Sequence, residues 1–325
     1  MRYRILGRTG LEVSEIGIGG HEYRRHLNPH QFPVTRNMKE FLKTQPRRTR
    51  LIRKALDAGV NFFDTTLEEE AESLGLALKT LRRRKEVYVA VMTVFPFREM
   101  MKAPRSRWKE IAAQGIEKRL GQLQSDYIDI FNVHMPEDNY STDLLKAMVE
   151  VLEEMKHEGK VRYVGASSHN LRFLVELMRK YDYFDSVMVP YNYHEQQARE
   201  IIFPLCKALN VGTVVMKPLS WPYYGIPFMC FCPANLRTGP YTPAQASLRW
   251  TLNSPEVSTV VPSANSVAEL QENIGAIDKE GRIDERILRH CLAGAQGKRG
   301  REKLRELLKS PKIDIRSYAR KALEA

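Results

Sequence analysis

Asp64 is followed within six residues by Glu68, Glu69 and Glu70, and the apolar run YIDIFNVH ends on His134. Carboxyls and an imidazole gathered in one pocket form a general acid/base set. Close carboxyls resist ionising together, so one keeps its proton near neutral pH, where imidazole also titrates. The three glutamates equally suit the first turn of a helix, where the dipole favours negative charge. That reading serves Glu70 and Glu72 best and leaves Glu69 as the carboxyl to test beside Asp64 and His134. Cys230-Phe-Cys232 together with Cys291 offers three thiolates, yet no CxxC pair or nearby histidine completes a zinc set, and no metal is expected. Four cysteines are too few for a disulfide framework in 325 residues, so reduced thiols and a cytoplasmic location are the expectation.

An alternation of short apolar runs and amphipathic segments must position these residues. Glu15 to Gly20 reads as a buried strand after a short hairpin around Gly7-Arg8-Thr9-Gly10. A loop without periodicity is expected from His21 to Gln45. From there helices at 49–58, 70–81, 106–123, 143–158, 170–181, 197–209, 243–253 and 266–276 alternate with strands at 60–65, 87–93, 127–134, 161–167, 186–192, 212–217 and 258–262. Eight β/α units whose strands lack polar alternation predict a (β/α)8 TIM barrel, with an N-terminal hairpin and extra C-terminal helices. The expected organisation is one barrel over 1–280 and a basic helical extension over 281–325 packed on it. In this architecture chemistry sits at the C-terminal ends of the strands, which include Gly20, Asp64 to Glu70, Met92, His134, Ser167, Ser168, Lys217 to Trp221 and Ser263 to Asn265.

No apolar run reaches the roughly 18 residues that cross a bilayer, so neither a membrane span nor a signal segment is expected. The net charge of +12 raises the question of nucleic acid. Its clusters, however, fall at ordinary solvated positions: Arg47, Arg48, Arg50, Arg53 and Lys54 on one helix, Arg82 to Lys85 at the end of another. The basic tail from Lys298 to Lys321 carries Leu304, Leu307 and Leu308 on one face, without an interleaved aromatic platform. A small-molecule partner is favoured over RNA or DNA.

Several strand ends resemble the aldo-keto reductase family, from Arg4 to about Asp278. YRILGRTGLEVSEIGIGG is similar to its opening hairpin and first strand, ALDAGVNFFDT to its second, and SDYIDIFNVHMPE to its fourth. GKVRYVGASS, VPYN, VVMKPL and VVPSANSVAELQENIGA follow in family order. The resemblance implies a small-molecule oxidoreductase that reduces carbonyls with NADP(H), a tyrosine giving the proton while an aspartate, a lysine and a histidine tune and orient it. Asp64 matches the aspartate and His134 the histidine. The tyrosine position reads Glu69, or Leu67 if the loop is two residues short, and the strand-three lysine reads Met92.

For the cofactor, the resemblance implies contacts from Gly20, Ser167, Ser168, Leu219, Ser220, Ser263, Asn265, Glu272 and Asn273. The strand-six glutamine that grips the carboxamide reads Met188. Ser263-Ala264-Asn265 stands where relatives have glycine and then a basic residue, so a 2′-phosphate meets less charge. Three readings stay open. One is a descendant shifted to acid/base chemistry through Glu69 and His134. Another is an NADPH-dependent aldehyde or ketone reductase with a relocated phenol, such as Tyr23, Tyr223 or Tyr224. The last is a non-catalytic barrel that binds a nucleotide or a partner.

Overall fold

Runs such as Val89-Ala90-Val91 and Val187-Met188-Val189 are buried along their whole length, as strands must be when helices cover one face and the sheet packs on itself at the other. The computed structural model describes residues 1–20, 38–93, 95–134, 141–223, 225–232, 236, 239–278, 281–310 and 313–324. A hairpin of β1 (Tyr3–Ile5) and β2 (Glu12–Ser14) precedes eight parallel strands. These are β3 (Ile18–Gly19), β4 (Phe62–Thr65), β5 (Tyr88–Thr93), β6 (Ile128–His134), β7 (Val161–Ser167), β8 (Ser186–Pro190), β9 (Gly212–Met216) and β10 (Thr259–Val260). Neighbours in sequence are neighbours in the sheet. The ring closes where Ile16 bridges Val260, Gly17 N–H donates to the Val260 carbonyl at 2.8 Å and Gly19 N–H to that of Pro262 at 3.1 Å. The fold is a (β/α)8 barrel.

The helices are α1 (Met38–Asp57), α2 (Glu68–Leu81), α3 (Phe95–Lys102), α4 (Trp108–Leu123), α5 (Thr142–His157), α6 (Leu171–Lys180), α7 (Ala198–Ile201), α8 (Phe203–Ala208), α9 (Pro243–Leu252), α10 (Val267–Asp278), α11 (Glu285–Gln296), α12 (Lys298–Leu307) and α13 (Ile313–Glu324). Three differ from expectation. α1 begins at Met38, inside the segment expected as loop, and carries Pro46 in its interior, which removes one helical donor without ending the helix. α3 was not foreseen; it is short, with Phe97 and Met100 buried and Arg98 and Glu99 outward. The helix expected at 197–209 is divided into α7 and α8, with Pro204 in the first turn of the second piece.

Inside the ring, Phe62, Ala90, Ile130, Met188, Val214 and Val261 pack with Leu6, Leu11 and Val13 of the hairpin, which plugs the N-terminal end. Arg4 pins that plug, donating to the carbonyls of Leu252 and Val257, each at 2.7 Å, and to Glu15 at 2.7 Å. The inward set also fixes the period-2 phase of each strand. Asp64 shares the face of Phe62, Met92 that of Ala90, and His134 that of Ile130.

The tail lies against the segment that follows β9. Leu304 of α12 and Ala319 of α13 are buried with Ile226 and Phe231 of that segment and Ala295 of α11. The Tyr223 hydroxyl donates to the Ala295 carbonyl at 3.1 Å. Gly225, at φ +77°, leaves the Tyr318 ring the space a Cβ would fill. Cys232 and Cys291 are joined as a disulfide with their Cα atoms 5.3 Å apart, which corrects the expectation of reduced thiols. Contact between the two arises from tail packing, which cysteine count and spacing cannot reveal. Among the described residues no helix is long and apolar enough to cross a membrane.

Candidate active site

Five inward side chains crown the mouth: Asp64 at the end of β4, Met92 on β5, His134 ending β6, Ser167 ending β7, and Ser263 just beyond β10. Register sets their heights: Gly19 pairs with Asp64, Asp64 with Ala90, Met92 with Asn132, and His134 with Ser167. The wall between Asp64 and His134 is therefore the thioether of Met92.

Asp64 is buried, and its Oδ1 finds no hydrogen-bond partner among the described residues. Burial and the negative charge of Glu70 push its carboxyl up to about 8. Glu70 is itself fully buried; its Oε2 accepts the Thr66 N–H at 2.7 Å and the Leu67 N–H at 3.0 Å, closing a capping box on α2. Those donors and the helix dipole favour charge on Glu70. Gly20 makes this arrangement possible: a Cβ there would stand 2.8 Å from Glu70 Oε2 and 2.9 Å from the Asp64 carbonyl. Glu69 is buried on the same turn, but the carboxyl whose charge acts on Asp64 is that of Glu70.

His134 is held below its ordinary value chiefly by burial, against a hydrogen bond to the Ser167 backbone, and further by the charges of Lys217 and Arg98. It is therefore neutral at pH 7. Lys217 follows β9 at φ +58°. Its Nζ reaches across to His169, 2.5 Å from Nε2 and 3.2 Å from Nδ1. Burial pushes its ammonium down to about 7. The buried Asn192 of VPYN supports it from below: its Nδ2 donates to the Lys217 carbonyl at 3.2 Å and to Glu195 Oε2 at 2.8 Å. Sequence reasoning placed Lys217 at a strand end without giving it a role. Its charge acts on His134 from β9, across the two strands that lie between. Of the alternative phenols, Tyr223 is engaged with Ala295 in the tail, while Tyr23 and Tyr224 lie outside the described residues.

The residues expected to hold a dinucleotide fit it unevenly. Ser167 Oγ is buried at the mouth without a hydrogen-bond partner among the described residues, so it has capacity for a carboxamide. Ser168 Oγ instead accepts the Asn170 N–H at 3.0 Å, and Met188 belongs to the apolar interior. The Leu219 carbonyl accepts the Phe228 N–H at 3.0 Å, and Ser220 N–H donates to the Lys217 carbonyl at 3.3 Å, so both serve the turn after β9. Beyond β10, the Asn273 amide donates to the Ser263 carbonyl at 3.4 Å, and Glu272 beside it is half-buried. Asn265 gives its N–H and its Nδ2 to Glu269 Oε2, both at 2.8 Å, which places a carboxylate at the start of α10. Arg47 of α1 donates to the Asn265 carbonyl at 2.6 Å. A residue whose sequence context reads as plain solvated surface thus brings a cation to this loop.

Comparison with known proteins adds to this geometry. A sequence profile described as "Aldo/keto reductase family" matches residues 38–223. Aldo-keto reductase YhdN of Bacillus subtilis is 26% identical over 219 residues, 66% of this chain and 61% of that protein, which is less than two thirds of its length. L-galactose dehydrogenase of Arabidopsis thaliana is 24% identical over 84% of this chain and 87% of its own. The solved aldo-keto reductase AKR11C1 from Bacillus halodurans, in its holo form, superposes with a TM-score of 0.66 at 22% identity, covering 92% of this chain and 98% of its own. An aldo-keto reductase from Klebsiella pneumoniae in complex with NADPH gives 0.65 at 21% identity, over 89% and 93%. At such identities the superpositions speak for the fold.

Proposed function

The chain belongs to the aldo-keto reductase family, and from that premise we propose that it is a small-molecule carbonyl oxidoreductase using NADP(H), in which the protonated carboxyl of Asp64, at the family's aspartate position, takes over the proton donation that the missing tyrosine and lysine would perform. The observation that carries this reading is Asp64, a buried carboxyl at the barrel mouth pushed up to about 8 beside a charged neighbour. A phenol of ordinary acidity needs a neighbouring cation to give up its proton near neutral pH; a carboxylic acid with a pKa near 8 needs none. Met92 suits this exchange, because an ammonium there would draw the proton off Asp64.

Bound NADPH supplies the hydride. Ser167 would offer its hydroxyl to the nicotinamide end, Asn273 and Glu272 would serve the adenine end, and Arg47 would lend charge near Asn265. His134, whose single neutral N–H is held by the Ser167 backbone carbonyl, lines the pocket, and Asp64 would deliver the proton to the carbonyl oxygen as alkoxide character builds. The support is the inward phase of both side chains, the relatives named as reductases and a dehydrogenase, and the NADPH complex of one structural neighbour.

The test is calorimetric titration with NADPH and NADP+, followed by NADPH consumption over a panel of aldehydes and ketones. Binding with turnover that falls as the pH rises through about 8, and is abolished in Asp64→Asn, is the expected result. Absence of cofactor binding at millimolar concentration, or full turnover in Asp64→Asn, overturns it.

A further inference from the structure

The Cys232–Cys291 disulfide joins the C-terminal helices to the connection that leaves β9. That connection starts at the mouth, where the Ser220 N–H donates to the Lys217 carbonyl at 3.3 Å and the Phe228 N–H to that of Leu219 at 3.0 Å. Trp221, fully buried, stacks on Phe228 with ring centroids 4.0 Å apart. Its indole N–H donates to Ser247 Oγ at 3.1 Å, and that hydroxyl donates to the Pro218 carbonyl at 2.9 Å. Ile226 and Phe231 carry the packing onward to Ala295, Leu304 and Ala319 of the tail. One packed unit thus extends from the turn at Lys217 to Cys232 and α11–α13. The disulfide closes it across 59 residues of sequence, and a cross-link of that span restrains the chain more than a single packing contact does. Its sulfurs differ in access: Cys291 is buried in α11, and Cys232 is only half-buried.

We infer that this disulfide is a thiol-operated latch: a dithiol reductant opens it, the tail loosens, and the turn from Lys217 to Ser220 loses its support. A thiolate of the reductant attacks the accessible Cys232 sulfur, the bond between the two protein sulfurs breaks, and Cys291 leaves as a thiolate that is then protonated. The second thiolate of the reductant attacks the reductant's own sulfur in the mixed disulfide and releases Cys232. Two electrons pass to the protein, and the reductant becomes a cyclic disulfide. The latch is independent of the proposed carbonyl chemistry; only its effect on cofactor affinity rests on that reading.

Full-length protein is held under native conditions with and without excess dithiothreitol, its thiols are counted by alkylation and mass spectrometry, and its backbone amides are followed by hydrogen–deuterium exchange. Reduction is expected to expose Cys232 and Cys291 to alkylation. Exchange in residues 217–232 and in α11 and α12 should rise by about tenfold or more, with β4 to β7 unchanged. NADP+ affinity, read by calorimetry, should fall by about fivefold and recover when the bond is re-formed by oxidation. Cys291→Ser should show the reduced behaviour without any reductant, and Cys230→Ser should respond to dithiothreitol as the parent does. Thermal melts of each variant establish that it is folded; should Cys291→Ser not fold, the comparison of oxidised and reduced parent decides alone.

A disulfide that resists excess dithiothreitol in the folded parent overturns the inference, because the bond is then a fixed structural cross-link. So does reduction that leaves exchange in residues 217–222 unchanged, or that raises exchange equally throughout the barrel. So does alkylation of both cysteines in the oxidised protein, or loss of the response in Cys230→Ser. If NADP+ fails to bind in either state, the proposed function falls, while the exchange data still decide whether the latch exists.

Discussion

At the N-terminal end of the barrel, Glu15 accepts Arg4 at 2.7 Å and pairs with Arg2 at 3.1 Å. The fully buried Asp129, near the start of β6, takes Arg84 at 2.8 Å and Arg162 at 2.7 Å and accepts the Val89 N–H at 3.0 Å. At the C-terminal end Asp64 is comparably buried, yet its charged neighbour is Glu70, and the cations Lys217 and Arg98 lie on the far wall beside His134. Buried carboxyls thus meet guanidinium groups at one end, while at the other a buried carboxyl lies beside a second carboxylate. A carboxylate surrounded by guanidinium groups stays ionised and holds strands together. A carboxyl beside another carboxylate keeps its proton and has it available to give. The contrast assigns stability to the lower end and chemistry to the mouth, as barrels of this kind arrange them.

The sharpest way to break this contrast is to exchange the consequences of its two buried aspartates. Asp64→Asn is expected to lower kcat by about 10²- to 10⁴-fold, the usual contribution of a positioned proton donor, with the cofactor Kd unchanged. Asp129→Ala should do the reverse. It leaves two guanidinium groups without their shared carboxylate and is expected to cost about 3–5 kcal/mol in denaturant unfolding, with kcat unaltered in the folded fraction. Equal loss of kcat in both variants would mean that the two ends are not functionally distinct.

A smaller effect follows from linkage. The folded-state pKa of Asp64 lies above its unfolded value of about 4, so the folded chain keeps a proton that the unfolded chain releases. Stability is then full below about 4 and declines as the pH rises through about 8. Asp64→Asn removes that decline. Its Tm at pH 8 should exceed that of the parent by a few degrees and the two should converge toward pH 4, as read by calorimetry. Smaller again is the effect at the start of α10. Glu269→Gln relieves a carboxylate beside Asn265 and is expected to improve NADPH affinity a few-fold relative to NADH; an unchanged ratio would place the 2′-phosphate elsewhere.

The barrel was readable from the sequence because strand burial and helix amphipathicity repeat with fixed periods, and each unit reports itself locally. The phase of β4, β5 and β6 was not, because strands without polar alternation show no inward face; the interior set around Phe62, Ala90 and Ile130 puts Asp64, Met92 and His134 there. What escaped depends on contacts between distant segments or on backbone detail. Lys217 acts on His134 across two intervening strands, which no local sequence pattern reports. Glu70 rather than Glu69 acts on Asp64 because of the rotation of α2 set by its capping box. Arg47 reaches Asn265 across the α1–α10 contact, and Cys232 meets Cys291 through tail packing. α3 is too short for helical periodicity to rise above its surroundings, and α1 starts early because its first turns tolerate a proline that reads as a break.

The account stands on where one proton resides at neutral pH. The most direct measurement is the pH titration of aspartate side-chain carboxyl carbons by 13C NMR in the full-length protein, with Asp64→Asn used to assign the resonance. A carboxyl titrating near 8 that vanishes in Asp64→Asn is the predicted result. An Asp64 resonance that titrates near the ordinary aspartate value of about 4 would contradict it.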